Sequence, residues 1–83
     1  MKYELTKHAQ KVLAEREIAV EWMERTLNEP ELRLPDTDDP KVERRYRRIP
    51  EFGGRVLRVA VNSGVEPNRV VSVFFDRTMK GKL

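Results

Sequence analysis

The sequence predicts one α+β domain over residues 1–83. Its layout is a short N-terminal strand, a two-helix hairpin and a three- to four-stranded antiparallel sheet, with both helices on one sheet face. Apolar residues recur with helical spacing between residues 7 and 29, and alternating segments separated by turns follow from residue 42. Helices followed by a run of strands are typical of α+β domains. A chain of 83 residues is long enough for one modest core.

The chain begins with a predicted strand and a predicted helix. A two-residue alternation in residues 2–5 indicates the strand, and Thr6 is a good helix N-cap. Apolar residues at i, i+3 and i+4 predict a first helix from residue 7 to about residue 16. These residues are Ala9, Val12 and Leu13. Arg16 continues their stripe, so we expect it at the core rim with its guanidinium paired to a carboxylate.

A second helix follows almost at once and ends before Pro30, because proline disfavours helix at the preceding residue. Its apolar stripe consists of Ala19, Trp22, Met23, Thr26 and Leu27. Residues 28–41 then hold three prolines and three aspartates, which predicts a connector, although residues 31–34 could form a brief edge strand. The acidic residues 36–39 lack the glycine and glutamate of a calcium loop, so we interpret them as a solvated turn.

Three strands are predicted after the connector, over residues 42–49, 55–62 and 69–75, joined by two turns into consecutive hairpins. In the middle strand one face carries only apolar residues and should meet the helices. These residues are Leu57, Val59 and Val61. The last strand is apolar on both faces, which indicates a central position, and we expect its residues 73–75 to complete the core. Residues 78–83 are predicted to be a mobile basic tail.

Composition excludes several classes of protein. There is no cysteine, so disulfide scaffolds and thiolate zinc sites are excluded, which fits a reducing cytoplasm. No apolar run approaches the roughly 20 residues that a membrane-spanning helix needs, and the N-terminus lacks the apolar stretch of a secretory signal. We therefore expect a soluble cytoplasmic protein with no membrane contact.

The charge is distributed unevenly. Residues 1–41 hold 7 Lys or Arg against 10 Asp or Glu, whereas residues 42–83 hold 10 against 4. Clustered basic side chains gain affinity for polyanions by displacing counterions from phosphates. The second half could therefore bind nucleic acid, or it could be a solvated basic surface that aids solubility.

The strand VERRYRRI, residues 42–49, is the most basic segment. Alternation places Arg44, Tyr46 and Arg48 on one face. The other face carries Arg45, Arg47 and Ile49. Either face could bind phosphates, and the one with Tyr46 could also stack on a base. The same charges could instead protect a strand from aggregation. Arg58 on the next strand, and Arg77 with Lys80 after the last one, could extend the patch.

His8 is the only histidine, and it lies beside the apolar stripe of the first helix. It has no partner at metal-ligand spacing and no nucleophile triad around it, so a structural role and a role as general acid or base both stay open. No glycine-rich phosphate loop is present. The sequence therefore predicts no metal site and no cofactor.

Several segments together resemble a known family. They are YELTKHAQKVLAEREIAVEWMERTLNEPE, ERRYRRI, GGRVLRVAVN and VVSVFFDRTMKGKL. This pattern resembles the bacterial and archaeal family called domain of unknown function 4258, over nearly the whole chain. The predicted layout is also similar to that of the RelE/ParE and BrnT toxin superfamily, in which a strand, a helical hairpin and an antiparallel sheet form a small basic domain.

The resemblance to the toxin superfamily implies metal-independent cleavage of RNA, often on the ribosome, and a cognate antitoxin protein as partner. It makes His8, Tyr46, Arg45 and Arg47 the candidate catalytic residues. A ribose 2′-hydroxyl would attack the adjacent phosphate, the arginines would stabilise the transition state, and His8 or Tyr46 would move a proton. The candidate nucleic-acid-binding residues are Arg44, Arg48, Arg58, Arg77 and Lys80.

Two alternatives use the same surface without catalysis. The chain could be a nucleic-acid-binding module, which needs basic residues but no proton-transfer group. It could also be a protein-interaction module whose sheet edge pairs with a partner strand. The sequence leaves the oligomeric state open.

Overall fold

The computed structural model of the chain describes residues 3–83. These residues form five strands, two α-helices and two 3₁₀ turns, the turns at Pro50–Phe52 and Arg77–Met79. The main elements are β1 (Tyr3–Leu5), α1 (Lys7–Glu15), α2 (Val20–Asn28), β2 (Leu32–Pro35), β3 (Val42–Ile49), β4 (Arg55–Asn62) and β5 (Asn68–Phe75). The predicted α+β class and element order are thus confirmed. Lys2, predicted as the first residue of the opening strand, lies outside the described residues.

One sheet contains all five strands in the order β1-β5-β4-β3-β2. The strands β2 to β5 form an antiparallel meander, and β1 pairs with β5 in parallel. The predicted edge strand is β2, which lies inside the connector of residues 28–41. The last strand is flanked on both sides, as its apolar composition predicts.

The helix ends explain why α1 and α2 form a tight hairpin. Thr6 caps α1, because its Oγ1 accepts a hydrogen bond from the Ala9 amide at 3.1 Å and donates one to the Val71 carbonyl at 3.1 Å. At the other end, Ile18 N–H donates to the Leu13 carbonyl at 3.0 Å. This bond closes a Schellman motif, in which Glu17 adopts the left-handed conformation with φ of 52°.

The core lies between the helices and one face of the sheet. Its buried members are Ala9, Leu13, Ile18, Met23, Leu27, Ile49, Leu57, Val59, Val61, Val70 and Val73. The three residues predicted to face the helices from β4 are all fully buried in this cluster, which confirms that orientation. Within residues 3–83, the opposite face of the sheet carries no helix.

The last strand departs from simple alternation. The register of β4 and β5 shifts between Ala60 and Val61, so Val71 has no residue opposite it. Val73 lies in the core and Phe75 packs against it, as predicted. Phe74 is only half-buried and lies on the other face, beneath the Arg58 guanidinium at 4.5 Å. The expectation that Phe74 completes the core is therefore wrong.

The C-terminal segment begins with local structure. Arg77–Met79 form a 3₁₀ turn that Asp76 caps through the Thr78 amide at 2.9 Å. The Lys82 amide donates to the Met79 carbonyl at 3.0 Å. Residues 78 and 79, predicted as part of a tail, thus belong to a turn that follows β5 directly.

Both helices have nine residues. Within residues 3–83 neither approaches the length and apolarity needed to cross a bilayer.

Candidate functional site

The basic strand β3 sends Arg45 and Arg47 toward the helices, on the same face as Ile49. Arg45 is 7% exposed, and its guanidinium donates to the Leu27 carbonyl at 2.9 Å and to Glu43 at 2.7 Å. Arg47 donates to the Glu29 carbonyl at 2.6 Å. Both acceptors are carbonyls at the C-terminal end of α2, where the helix has no partners of its own and carries partial negative charge. These two arginines therefore cap α2.

The other face of β3 presents Arg44 and Arg48, and each is paired with a carboxylate. Arg44 donates to Asp36 at 2.8 Å, and Arg48 to Glu31 at 2.7 Å. Hydrogen bonds from these guanidiniums lower the pKa of both carboxyl groups. On β4, Arg58 lies 3.5 Å from Asp76. The predicted patch is thus largely neutralised by its own neighbours.

Tyr46 and His8 lie on different elements, β3 and α1. Tyr46 is 3% exposed and lies between Leu32 of β2 and Arg58 of β4 in the sheet. His8 is exposed in the first turn of α1. Eight residues separate it from Arg16 at the other end of that helix, which corresponds to about 12 Å. The four predicted catalytic residues do not share one surface, and their role in catalysis stays a prediction.

A cavity of about 500 Å³ opens at one end of the sheet. We call it the end cavity. It is lined by Arg16, Glu17, Ile18, Trp22, Phe52, Arg55, Val56, Phe74, Phe75, Asp76, Arg77 and Lys80. Its size lies in the range of small-ligand sites, about 300 to 1,000 Å³. The lining combines four basic side chains, two acidic ones and four aromatic rings.

Within residues 3–83, the basic residues of the end cavity have no carboxylate partner. Within residues 3–83, four arginines take part in no ion pair. They are Arg16, Arg47, Arg55 and Arg77. Arg47 caps α2, and the other three line the end cavity with Lys80. All four cations of the cavity are exposed. Three of the four arginines without an ion pair are therefore exposed together with Lys80 in the end cavity.

The aromatic cluster of the end cavity consists of Trp22, Phe52 and Phe75. The ring centroids of Phe52 and Phe75 are 4.9 Å apart, and Trp22 lies 5.6 Å from Phe52 and 6.2 Å from Phe75. The Arg55 guanidinium lies 4.7 Å above the Phe52 ring. Phe52 is 40% exposed, whereas Trp22 and Phe75 pack against the core.

Sheet topology explains why these residues meet. Because β4 is antiparallel to both neighbours, its start lies beside the ends of β3 and β5, as the pairs Ile49 with Arg55 and Leu57 with Phe75 record. The 3₁₀ turn with Phe52 precedes β4, and Arg77 follows β5. The link between the helices supplies Arg16 and Glu17 at the same end.

The family of the chain follows from its sequence profile. Residues 5–75 match the profile of Domain of unknown function (DUF4258). The chain belongs to this family. Neither the curated proteins nor the solved structures gave a match. The matched region of this DUF4258 chain runs from the last residue of β1 to the last residue of β5, so it includes Arg16 and Arg55 and ends just before Arg77.

The DUF4258 chain thus brings together only part of the predicted site. Of the predicted nucleic-acid-binding residues, Arg77 and Lys80 line the end cavity, while Arg44, Arg48 and Arg58 pair with carboxylates elsewhere. No motif in the sequence marks Phe52 or Arg55. A usable signal is topological: in a predicted meander, residues before one strand lie beside residues after the next.

Arg16 also differs from expectation, since it is exposed in the cavity rather than paired at the core rim. Among residues 3–83, no three His, Asp or Glu side chains converge as metal ligands.

Proposed function

We propose that this chain binds RNA, with the phosphates held by the four basic residues of the end cavity. The observation that carries the proposal is the convergence of Arg16, Arg55 and Arg77 without ion-pair partners. Phosphate contacts from exposed Arg and Lys release condensed counterions and supply most of the affinity of such complexes. Arg also binds phosphate through two parallel hydrogen bonds, which favours it over Lys at these sites.

The choice of RNA as the polyanion rests on the resemblance to the RelE/ParE and BrnT toxins. The same resemblance extends the proposal to a cytoplasmic location, contact with the ribosome and an antitoxin partner. The geometry adds that β1 and β2 are short edge strands, to which a partner strand could add.

The binding proposal is tested by fluorescence anisotropy with a labelled single-stranded RNA at several salt concentrations. The test variant is Arg55→Ala/Arg77→Ala. The matched control is Arg33→Ala/Arg69→Ala, which removes the same charge from exposed arginines that lie outside the end cavity in ion pairs. We expect the test variant to bind about tenfold more weakly. The slope of the logarithm of its RNA affinity against the logarithm of the salt concentration should be about 1.4 shallower, because each phosphate contact with single-stranded RNA contributes about 0.7 to that slope.

Equal losses in the two double variants would contradict the proposal, since they would show that only net charge matters. An RNA affinity that does not change with salt in the unsubstituted protein would contradict it as well.

Catalysis is separable from binding. The predicted groups for proton transfer, His8 and Tyr46, do not line the end cavity, so the geometry favours binding without cleavage. We expect labelled RNA to stay intact on a denaturing gel after incubation with the protein in EDTA. Cleavage that is lost in His8→Ala would instead favour the toxin mechanism, because His8 has no part in the end cavity.

A further inference from the structure

The turn before β4 holds an aromatic ring in solvent. Pro50–Phe52 form a 3₁₀ turn, and Gly53 and Gly54 follow with φ of 67° and 72°. These left-handed angles suit glycine, and the Gly54 amide donates to the Ile49 carbonyl at 3.0 Å, which closes the turn. The short hairpin therefore fixes Phe52 at the mouth of the end cavity, where 40% of it stays exposed.

The exposed ring of Phe52 packs against other flat groups. Phe52 contacts both other rings of the aromatic cluster, and the flat guanidinium of Arg55 lies over it. Aromatic rings and arginine guanidiniums are the surfaces on which unpaired bases stack in protein complexes. The end cavity thus presents a π-surface directly beside the four unpaired cations.

We propose that the aromatic cluster binds an unpaired base of an RNA strand, so that the end cavity selects single-stranded over double-stranded RNA. This inference rests on the proposed RNA binding. A duplex offers phosphates to the cations but keeps its base faces stacked inside the helix. A single-stranded RNA offers both its phosphates and its unstacked base faces. A cavity of about 500 Å³ has room for one splayed nucleotide. An acidic peptide without aromatic side chains would satisfy the cations but leave the aromatic surface unused.

Trp22 makes the inference directly measurable. It is the only tryptophan of the chain and a member of the aromatic cluster. Its fluorescence therefore reports on a base that stacks there. Four probes separate the sources of the signal: a ten-nucleotide RNA strand, the same strand paired with its complement, AMP and inorganic tripolyphosphate.

We expect the strand to quench Trp22 and the tripolyphosphate to leave its fluorescence unchanged. The single-stranded RNA should bind about tenfold more tightly than the duplex. Phe52→Leu should weaken binding of the single-stranded RNA by about tenfold, because one base stack is lost, and should leave tripolyphosphate binding, measured by titration calorimetry, unchanged. Phe52→Tyr keeps an aromatic ring and should restore strand binding. Leu34→Ala is the matched control, since Leu34 is 41% exposed and lies outside the end cavity.

Each contrary result has its own meaning. Equal affinity for strand and duplex, together with an unaffected Phe52→Leu variant, would overturn base stacking while salt-dependent RNA binding persists. AMP that binds as tightly as the strand would overturn the assignment to RNA and point to a free nucleotide. Failure of the proposed function differs from both, because no RNA would then bind with a salt dependence. Thermal unfolding of each variant verifies that it is folded.

Discussion

Single arginine residues in this fold have different roles because their guanidiniums have different partners. Arg45 and Arg33 both bind the carboxylate of Glu43, at 2.7 Å and 2.8 Å. Burial raises the pKa of Glu43, but the hydrogen bonds and the positive charges of these two guanidiniums together lower it by more. The side chain of Arg45 is 8% exposed and that of Arg33 is 59% exposed. One carboxylate thus joins a buried and an exposed ion pair.

This shared partner gives a controlled stability experiment. Arg45→Met should destabilise the protein by about 2 to 3 kcal/mol, because the Leu27 carbonyl and Glu43 lose a buried donor. Arg33→Met should cost less than about 1 kcal/mol, as exposed pairs do. Urea unfolding measures both. Equal costs would contradict a structural role for Arg45, and a folded Arg45→Met that has lost RNA binding would favour a direct role in the site.

Residue patterns predicted the two faces of β3 but not which one the helices cover. Ile49 is the signal that could have decided this, since an apolar residue alternating with Arg45 and Arg47 indicates the core side. The C-terminal end of α2 then lies over these arginines, and its free carbonyls accept their hydrogen bonds. Side-chain partners of this kind depend on tertiary packing, which local alternation does not contain.

Among the elements, the C-terminal end of α1 affects both the stability of the fold and the lining of the end cavity. Glu17 occupies the position of the Schellman motif that usually holds glycine, with φ of 52°. A left-handed conformation costs a residue with a Cβ about 1 to 2 kcal/mol. Such local strain is often found at functional sites, and Glu17 lines the end cavity.

Replacing Glu17 by glycine should therefore stabilise the protein by about 1 kcal/mol, because glycine adopts this conformation without a steric cost. Glu17→Ala is the control, since it removes the same carboxylate but keeps the Cβ. Chemical denaturation should place Glu17→Ala within about 0.5 kcal/mol of the unsubstituted protein. If alanine and glycine gave the same gain, the charge of Glu17 rather than its backbone would be responsible.

Element boundaries were predicted well because local signals define them here. Thr6 starts α1, Pro30 follows the end of α2, and turns with glycine or proline flank β4. The parallel pairing of β1 with β5 and the bulge at Val71 were not predicted. The first depends on contacts between residues more than 60 positions apart, and the second depends on strand register. No local sequence pattern contains either kind of information.

Across the whole molecule, many carboxylates are paired with arginines. The pKa values of Glu31, Asp36, Glu43, Glu51 and Asp76 are all lowered. Each of these groups contacts an arginine in the folded state. This neutralisation leaves four arginines without an ion pair among residues 3–83, and three of them line the end cavity. The candidate site is therefore a property of the whole charge distribution, and the basic segment VERRYRRI by itself did not reveal it.

The same pairs predict a loss of stability in acid. A hydrogen bond from Arg25 lowers the pKa of Glu51 from its ordinary value of 4.5 to about 2. Between these values the unfolded chain binds the proton and the folded one does not, so stability falls as the pH falls. Above about pH 4.5 the contribution is complete, and near pH 2 most of it is lost. The other four carboxyl groups act in the same direction.

Urea unfolding between pH 7 and pH 2 tests this with Glu51→Gln. The variant should be less stable than the unsubstituted protein at pH 7, because Arg25 loses its bidentate partner. The two unfolding midpoints should converge toward pH 2, where Glu51 is increasingly protonated. Asp38→Asn is the control, because Asp38 is exposed and forms no ion pair within residues 3–83, so its midpoint should follow the unsubstituted protein throughout. A difference between Glu51→Gln and the unsubstituted protein that stays constant down to pH 2 would mean that packing, not the charge pair, connects the β3–β4 turn to α2.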